Sequence, residues 1–282
     1  MIQAEGDGVK LNVATWKGEG KTILCVHGLT SNCRVWDTIA SALTPQYRVL
    51  AMDLRGRGHS GHPSSGYSLD HHCRDISCLL DDLELERSIV MGHSLGAHIA
   101  LYLAAHYPHR VEKAILVDGG GQLSEAQRAQ VYKGIEPSLG RLGKVFPSFD
   151  AYLEDMKQLP FLKTWPATIE VFYRHDMEQI EGGGIRSSIQ KDHIQEEIVN
   201  LRKTDLTECY SNIRCPVLIL RAPEGMLSPD DILLPEDVFE RMLREIADVK
   251  LVNVEGTNHY SIVFNPNQLR DRAIQEFISA DA

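Results

Sequence analysis

The stretch Ile89-Val90-Met91-Gly92-His93-Ser94-Leu95-Gly96-Ala97 sets the fold expected of this chain. An apolar run leads in as a strand, and helical spacing from Leu95 to Tyr107 leads out. Between them sits Gly92-x-Ser94-x-Gly96. A strand that turns at once into a helix pushes the turn residue into a strained, positive-φ conformation. That turn lifts the Ser94 hydroxyl clear of the sheet edge. The neighbouring backbones then pass so closely that positions 92 and 96 require glycine. The helix starting at Leu95 aims free backbone N–H groups and its positive end at the same spot. Strand, tight turn and helix in this order form a nucleophile elbow.

Outward from the elbow, buried strands alternate with helices. Thr22–Val26 is a continuous apolar run that ends in His27-Gly28-Leu29-Thr30-Ser31-Asn32. Tyr47–Met52 ends in the glycine-rich loop Asp53–Ser60, and Val111–Val117 ends in Asp118-Gly119-Gly120-Gly121. Further strands are expected at 9–17, 216–220 and 249–254, the last followed by Gly256-Thr257-Asn258-His259-Tyr260. Alternation of this kind predicts an α/β fold with a parallel, doubly wound sheet. From about 122 to 210 the pattern changes to helical segments and breakers without a buried strand. Candidate helices there are Glu125–Gly134, Phe149–Leu159, Trp165–His175 and Ile185–Leu201. The expected organisation is a core of residues 1–121 and 211–282 with a helical cap, 122–210, inserted into it.

Composition narrows the partners. The 282 residues, 43% hydrophobic, suffice for one large core or a core plus a lid. The formal net charge of −10, with no Lys/Arg-rich run, argues against nucleic acid and anionic membrane. No apolar stretch approaches the ~20 residues of a membrane span. The start, Met1-Ile2-Gln3-Ala4-Glu5, lacks the basic and apolar regions of a signal peptide. Six cysteines form no CxxC pair, so free thiols and a cytoplasmic location are expected. The expected partner is a small-molecule substrate; monomer and homodimer are not distinguishable from sequence.

A serine hydroxyl needs a base to take its proton. Among 12 histidines, His259 has the right place: it follows the last strand, in a loop, with the terminal helix beyond. The imidazole in turn needs an acid to fix its tautomer. Asp118 ends the strand directly after the elbow unit, at the same sheet edge. Glu224, and more distantly Asp230 and Asp231, compete for the role. The oxyanion hole should use two main-chain N–H groups, that of Leu95 and one after His27-Gly28, most simply Leu29. No histidine lies in a metal-ligand pattern, so no metal is expected. The Asp53–Ser60 loop matches neither phosphate-binding fingerprint and reads as structural. Arg34, Arg57 and Arg186 could orient a substrate carboxylate but fit solvated surface better. Met156, Trp165 and Phe172 are candidates for pocket walls or for core.

Taken together, His27-Gly28, Asp53-x-Arg55-Gly56-x-Gly58-x-Ser60, Gly92-His93-Ser94-Leu95-Gly96 and Asn258-His259 resemble the α/β-hydrolase fold superfamily, in its order and over nearly the whole core. The resemblance implies an eight-stranded, mostly parallel sheet, no cofactor, and acylation of Ser94 followed by water attack. It also implies an acid after the post-cap strand, where this chain has Ala222-Pro223-Glu224-Gly225, with glycine at the expected position. Some branches carry the acid one strand earlier, where Asp118 stands. Among them the chain is similar to 2-(acetamidomethylene)succinate hydrolases, through residues 27–32 together with Asp118. The activity implied is cleavage of a small carboxylic ester or lactone. The alternatives are amide (C–N) hydrolysis of an acyl-amino or dicarboxylate substrate, and a non-catalytic receptor that retains the triad.

Overall fold

Apolar runs that are buried on both faces can only stack side by side under covering helices, and five of them make the centre of the sheet. The computed structural model describes residues 1–161 and 164–280. Its strands are β1 (Ile2–Glu5), β2 (Lys10–Trp16), β3 (Thr22–Val26), β4 (Arg48–Met52), β5 (Ser88–His93), β6 (Val111–Val117), β7 (Met177–Gln179), β8 (Ile185–Ser187), β9 (Val217–Arg221) and β10 (Val249–Asn253). Its helices are α1 (Asp37–Leu43), α2 (Leu69–Asp82), α3 (Leu95–His106), α4 (Glu125–Gly140), α5 (Phe149–Lys157), α6 (Thr168–His175), α7 (Lys191–Lys203), α8 (Thr207–Tyr210), α9 (Glu236–Glu245), α10 (Ser261–Phe264) and α11 (Gln268–Ser279).

The main sheet has eight strands in the order β1-β2-β4-β3-β5-β6-β9-β10. β1 and β2 run antiparallel to their neighbours, and the strands from β4 to β10 pair in parallel. This is the α/β-hydrolase arrangement. β5 lies at the centre, and every one of its residues is buried. α3 packs across it, with Ile99, Ala100, Leu101 and Leu103 in one core cluster with Val90 and Leu116. β1, which lies outside the strands expected from sequence, is a short edge strand with a single buried residue, Ala4. It offers little apolar signal to read.

Residues between β6 and β9 carry α4 to α8 and the small antiparallel pair β7–β8. Two expectations fail here. Residues 185–187 form a strand, not the start of a helix, and α7 begins only at Lys191. Gly182, Gly183 and Gly184 all take positive φ and reverse the chain, so that 185–187 pairs with 177–179. α4 also runs on past Gly134 to Gly140. Its start is fixed by a capping box between Ser124 and Gln127. Gly134 is a packing position: a Cβ there would crowd Met226 and Asp231.

This insert is bolted to the sheet by buried charge. Glu197 on α7 meets Arg57 of the β4 loop and His72 of α2, each at 2.8 Å, with all three side chains out of solvent. His175 at the end of α6 reaches Asp53, also at 2.8 Å. Burial alone would raise the Glu197 carboxyl; His72 and Arg57 more than offset it and hold it at about 2. Against an ordinary value of 4.5, that depression amounts to about 3 kcal/mol of stability at neutral pH. The contribution is full above the unfolded-state value and fades as pH falls toward the folded one. Glu197→Gln should therefore lower urea-unfolding stability strongly at pH 7, and the gap to wild type should close as the pH is taken below 4.5. A gap independent of pH would contradict this account.

Candidate active site

Strand order places the site. β3 is followed by β4 on one side, and the chain then crosses to β5 on the other. Loops at the carboxyl ends of β3 and β5 thus diverge and leave a crevice between them. Gly28 and Leu29 follow β3, and Ser94 follows β5. Ser94 adopts φ 56° and ψ −118° as the N-cap of α3, a conformation costing about 1–3 kcal/mol for a non-glycine residue. Its amide is tied to the Val117 carbonyl at 3.1 Å. A Cβ on Gly92 would run into the Gly96 carbonyl, and one on Gly96 into that of Val26. The two glycines thus let β5, α3 and β3 converge beneath the serine.

Asp118, at the end of neighbouring β6, also stands in left-handed backbone, at φ 44°. Its Oδ2 lies 2.8 Å from His259 Nδ1, and its Oδ1 accepts the Ala222 amide at 3.1 Å. An ionised carboxylate only accepts, so Nδ1 carries the proton and the imidazole keeps its Nε2 lone pair free. His259 is carried to this edge by the loop after β10. The Glu224 amide donates to the Thr257 carbonyl, and Glu224 bridges Asn258 in parallel, which prolongs the sheet by one step. Glu224 itself is exposed, as is Asp230. Asp231 is buried, but its carboxylate accepts the amides of Met226, Leu227 and Ser228 and so caps its own loop.

His93 braces His259. Its ring stacks on His259 at 4.4 Å, and its Nε2–H donates to the His259 carbonyl at 2.9 Å. Burial, with the His259 ring as a second cause, keeps His93 far below the usual histidine range, hence neutral. Ser94 and His259 face one cavity. The Ser94 hydroxyl has no hydrogen-bond partner among the described residues, as is common before substrate binds.

The peptide between Gly28 and Leu29 is oriented from behind. His27 is fully buried, and burial lowers its pKa to about 4. Its Nε2 accepts the Leu54 amide at 3.0 Å, which leaves Nδ1–H to donate to the Gly28 carbonyl at 2.8 Å. In a planar trans peptide the N–H points opposite to the C=O. Pinning the Gly28 carbonyl toward His27 therefore turns the Leu29 N–H away from it. Among the described residues, neither the Leu29 nor the Leu95 amide donates to a protein acceptor outside regular helix and strand ladders.

The crevice has two lobes that share Leu29, Ser94 and Ile135. The narrower, about 70 Å³, carries His259, Tyr260, Tyr173, Phe172 and Arg141. Arg141 is buried, paired with Asp176 at 2.9 Å and bonded to the Thr30 carbonyl. Tyr260, pushed up to about 12 by burial, shares a hydrogen bond with Ser138 at 2.8 Å. The wider lobe, about 150 Å³, is walled by leucine, isoleucine and valine. Of the three proposed wall residues, Phe172 lines the narrow lobe, whereas Met156 and Trp165 pack in the core. Arg34 and Arg186 pair with Asp37 and Glu178, and Arg57 is buried against Glu197 instead of solvated. Sequence reading passed over Arg141 and Tyr260. The tyrosine could have been found beside His259, but nothing in helix α4 announces that residue 141 ends beside the serine.

Cys33, Asp53 and His175 bring three possible metal-ligand atoms within 4.8 Å of one another. The Asp53 oxygens already accept from Cys33 N, Asn12 Nδ2, His59 N and His175 Nε2. The cluster is saturated by hydrogen bonds and serves to fasten α6 to the sheet.

Comparison with known proteins agrees with this fold. Residues 21–266 match the alpha/beta hydrolase fold family. The chain is 29% identical to 2-(acetamidomethylene)succinate hydrolase of Mesorhizobium japonicum, over 96% of this chain and 92% of that protein. It is 28% identical to 3-hydroxybutyrate-oligomer hydrolase of Cupriavidus necator, over 88% of this chain and 86% of that one. The crystal structure of an E-2-(acetamidomethylene)succinate hydrolase superimposes with a TM-score of 0.79 at 26% identity, covering 99% of this chain and 98% of the other.

The Gly28 contact is open to test. A Cβ at this position would stand 3.1 Å from Ser94 Cβ and 3.6 Å from its Oγ, without backbone strain. Gly28→Ala should keep a thermal midpoint near wild type. Its Ser94 should react with a fluorophosphonate roughly tenfold more slowly or worse, since small displacements at a reacting centre are costly. Unchanged reactivity would show that the β3 loop does not shape the serine's surroundings.

Proposed function

The chain belongs to the alpha/beta hydrolase fold family, and from that premise we propose a serine hydrolase that cleaves a small carboxylic ester or lactone through an acyl-enzyme on Ser94. The observation that carries this reading is the 2.8 Å Asp118–His259 hydrogen bond, opening on the same cavity as a left-handed Ser94. In this mechanism His259 Nε2 takes the hydroxyl proton as Ser94 Oγ attacks the carbonyl carbon. Asp118 holds the ring in the required tautomer and stabilises its cationic form. The Leu29 and Leu95 amides receive the oxyanion; a donor of this kind is typically worth about 10²–10³ in rate. His259 then gives its proton to the leaving alkoxide, and the bond to the leaving group breaks. A water molecule, deprotonated by the same imidazole, attacks the acyl-enzyme and frees the acid and Ser94. Residues 122–210 act as the cap that walls the site and limits water.

A second reading, hydrolysis of a C–N bond, is favoured by the likeness to 2-(acetamidomethylene)succinate hydrolase, whose name specifies an acetamido group. The machinery is the same, but the leaving atom is a nitrogen that needs protonation before it departs.

Mass-spectrometric mapping of a fluorophosphonate adduct should find it on Ser94; an unlabelled Ser94 would end the serine mechanism. Asp118→Asn should lower kcat/KM by about 10²–10⁴, whereas Glu224→Gln should stay within about twofold, in line with typical surface substitutions. The reverse ranking would move the acid to the β9 loop. Short-chain p-nitrophenyl esters turned over well, with acetamido acids left intact, would favour the ester reading over the amide one.

A further inference from the structure

The wider lobe beside Ser94 has an unusual charge pattern for this protein. The chain as a whole carries a formal net charge of −10, yet no Asp or Glu lines this lobe. Its walls include Leu123, Val131, Ile198 and Leu201. Its charged residues are Arg128 of α4 and Arg202 of the last turn of α7. Arg128 is half-buried and Arg202 is exposed. Neither guanidinium has an ion-pair or side-chain hydrogen-bond partner among the described residues. The other arginine near Ser94, Arg141, is already neutralised by Asp176 in the narrow lobe. The one histidine of the wide lobe, His98, is half-buried and donates to the Ser94 carbonyl at 2.8 Å.

Apolar walls want a hydrocarbon chain, and two unpaired guanidiniums want an anion that accepts in their plane. We propose that the substrate is an anionic acyl ester in which an apolar chain separates the scissile carbonyl from a carboxylate. The chain lies in the wide lobe, and the carboxylate is held by Arg128 and Arg202, one from each of two cap helices. The inference rests on the serine-hydrolase reading and adds the substrate class to it. Both arginines sit in the insert, so the same contact would tie α4 to α7 when substrate is bound.

Monomethyl suberate and dimethyl suberate test it, because they share the chain and differ in the free carboxylate. Two readouts are methanol release and the slowing of fluorophosphonate labelling at Ser94. At low salt the wild type should favour the monomethyl ester by about tenfold or more in both, and 0.5 M NaCl should erode the preference, because exposed charges are screened. In an Arg128→Gln/Arg202→Gln double variant the monomethyl-to-dimethyl ratio should fall toward one. A wild type that treats the two esters alike, or prefers the neutral one, overturns the proposal and leaves the serine hydrolase standing. A preference that survives both salt and the double variant overturns it too, since the carboxylate is then read elsewhere. If Ser94 takes no fluorophosphonate label at all, the underlying reading fails and this inference falls with it.

Discussion

Ser94 and Asp118, at the carboxyl ends of the adjacent strands β5 and β6, both hold left-handed backbone that disfavours their side chains. Each such residue costs about 1–3 kcal/mol, so the surroundings must over-determine it. They do so here. The Ser94 amide is tied to Val117, the residue before Asp118, and the Asp118 amide to Leu220 on β9. Parallel pairing of β5, β6 and β9 thus fixes both turns at once. Were the sheet to shift by one register, the serine, the carboxylate and the histidine loop would all lose their common edge. The remaining features of the site follow from that shared constraint.

Behind Ser94 and His259 stands a layer of neutral imidazoles. His27 pins the Gly28 carbonyl, His93 holds the His259 carbonyl, and His98 takes the Ser94 carbonyl. Burial lowers the proton affinity of all three, so none of them adds a positive charge beside His259. A cation there would oppose protonation of the His259 ring. Rings that donate without carrying charge set the main-chain geometry and leave Asp118 as the side chain hydrogen-bonded to the His259 ring. The insert is treated differently. Its contacts to the sheet include a buried ion pair, Glu197 with Arg57. Desolvation makes such pairs costly to form and more costly to break singly, which suits a wall held in one place over the crevice. No described helix is long and apolar enough to cross a membrane.

What the sequence by itself determined was the order of strands and helices, the elbow at Ser94 and the place of His259 past the last strand. These are local or topological facts: hydrophobic runs, glycine spacing and position along the chain. It also narrowed the acid to a few carboxylates but could not choose by distance. Only the tertiary structure sets Asp118 at 2.8 Å from His259 and turns Asp231 into its own loop. Likewise only the fold put Arg57 in the interior, made Arg141 a wall of the site and left Arg128 and Arg202 unpaired beside an apolar lobe. The physical reason is range. Backbone preference and hydrophobic period act over a few residues and are written in consecutive letters. The pairing of a charge depends on which distant segment arrives beside it, and that is fixed when the sheet closes and the insert docks.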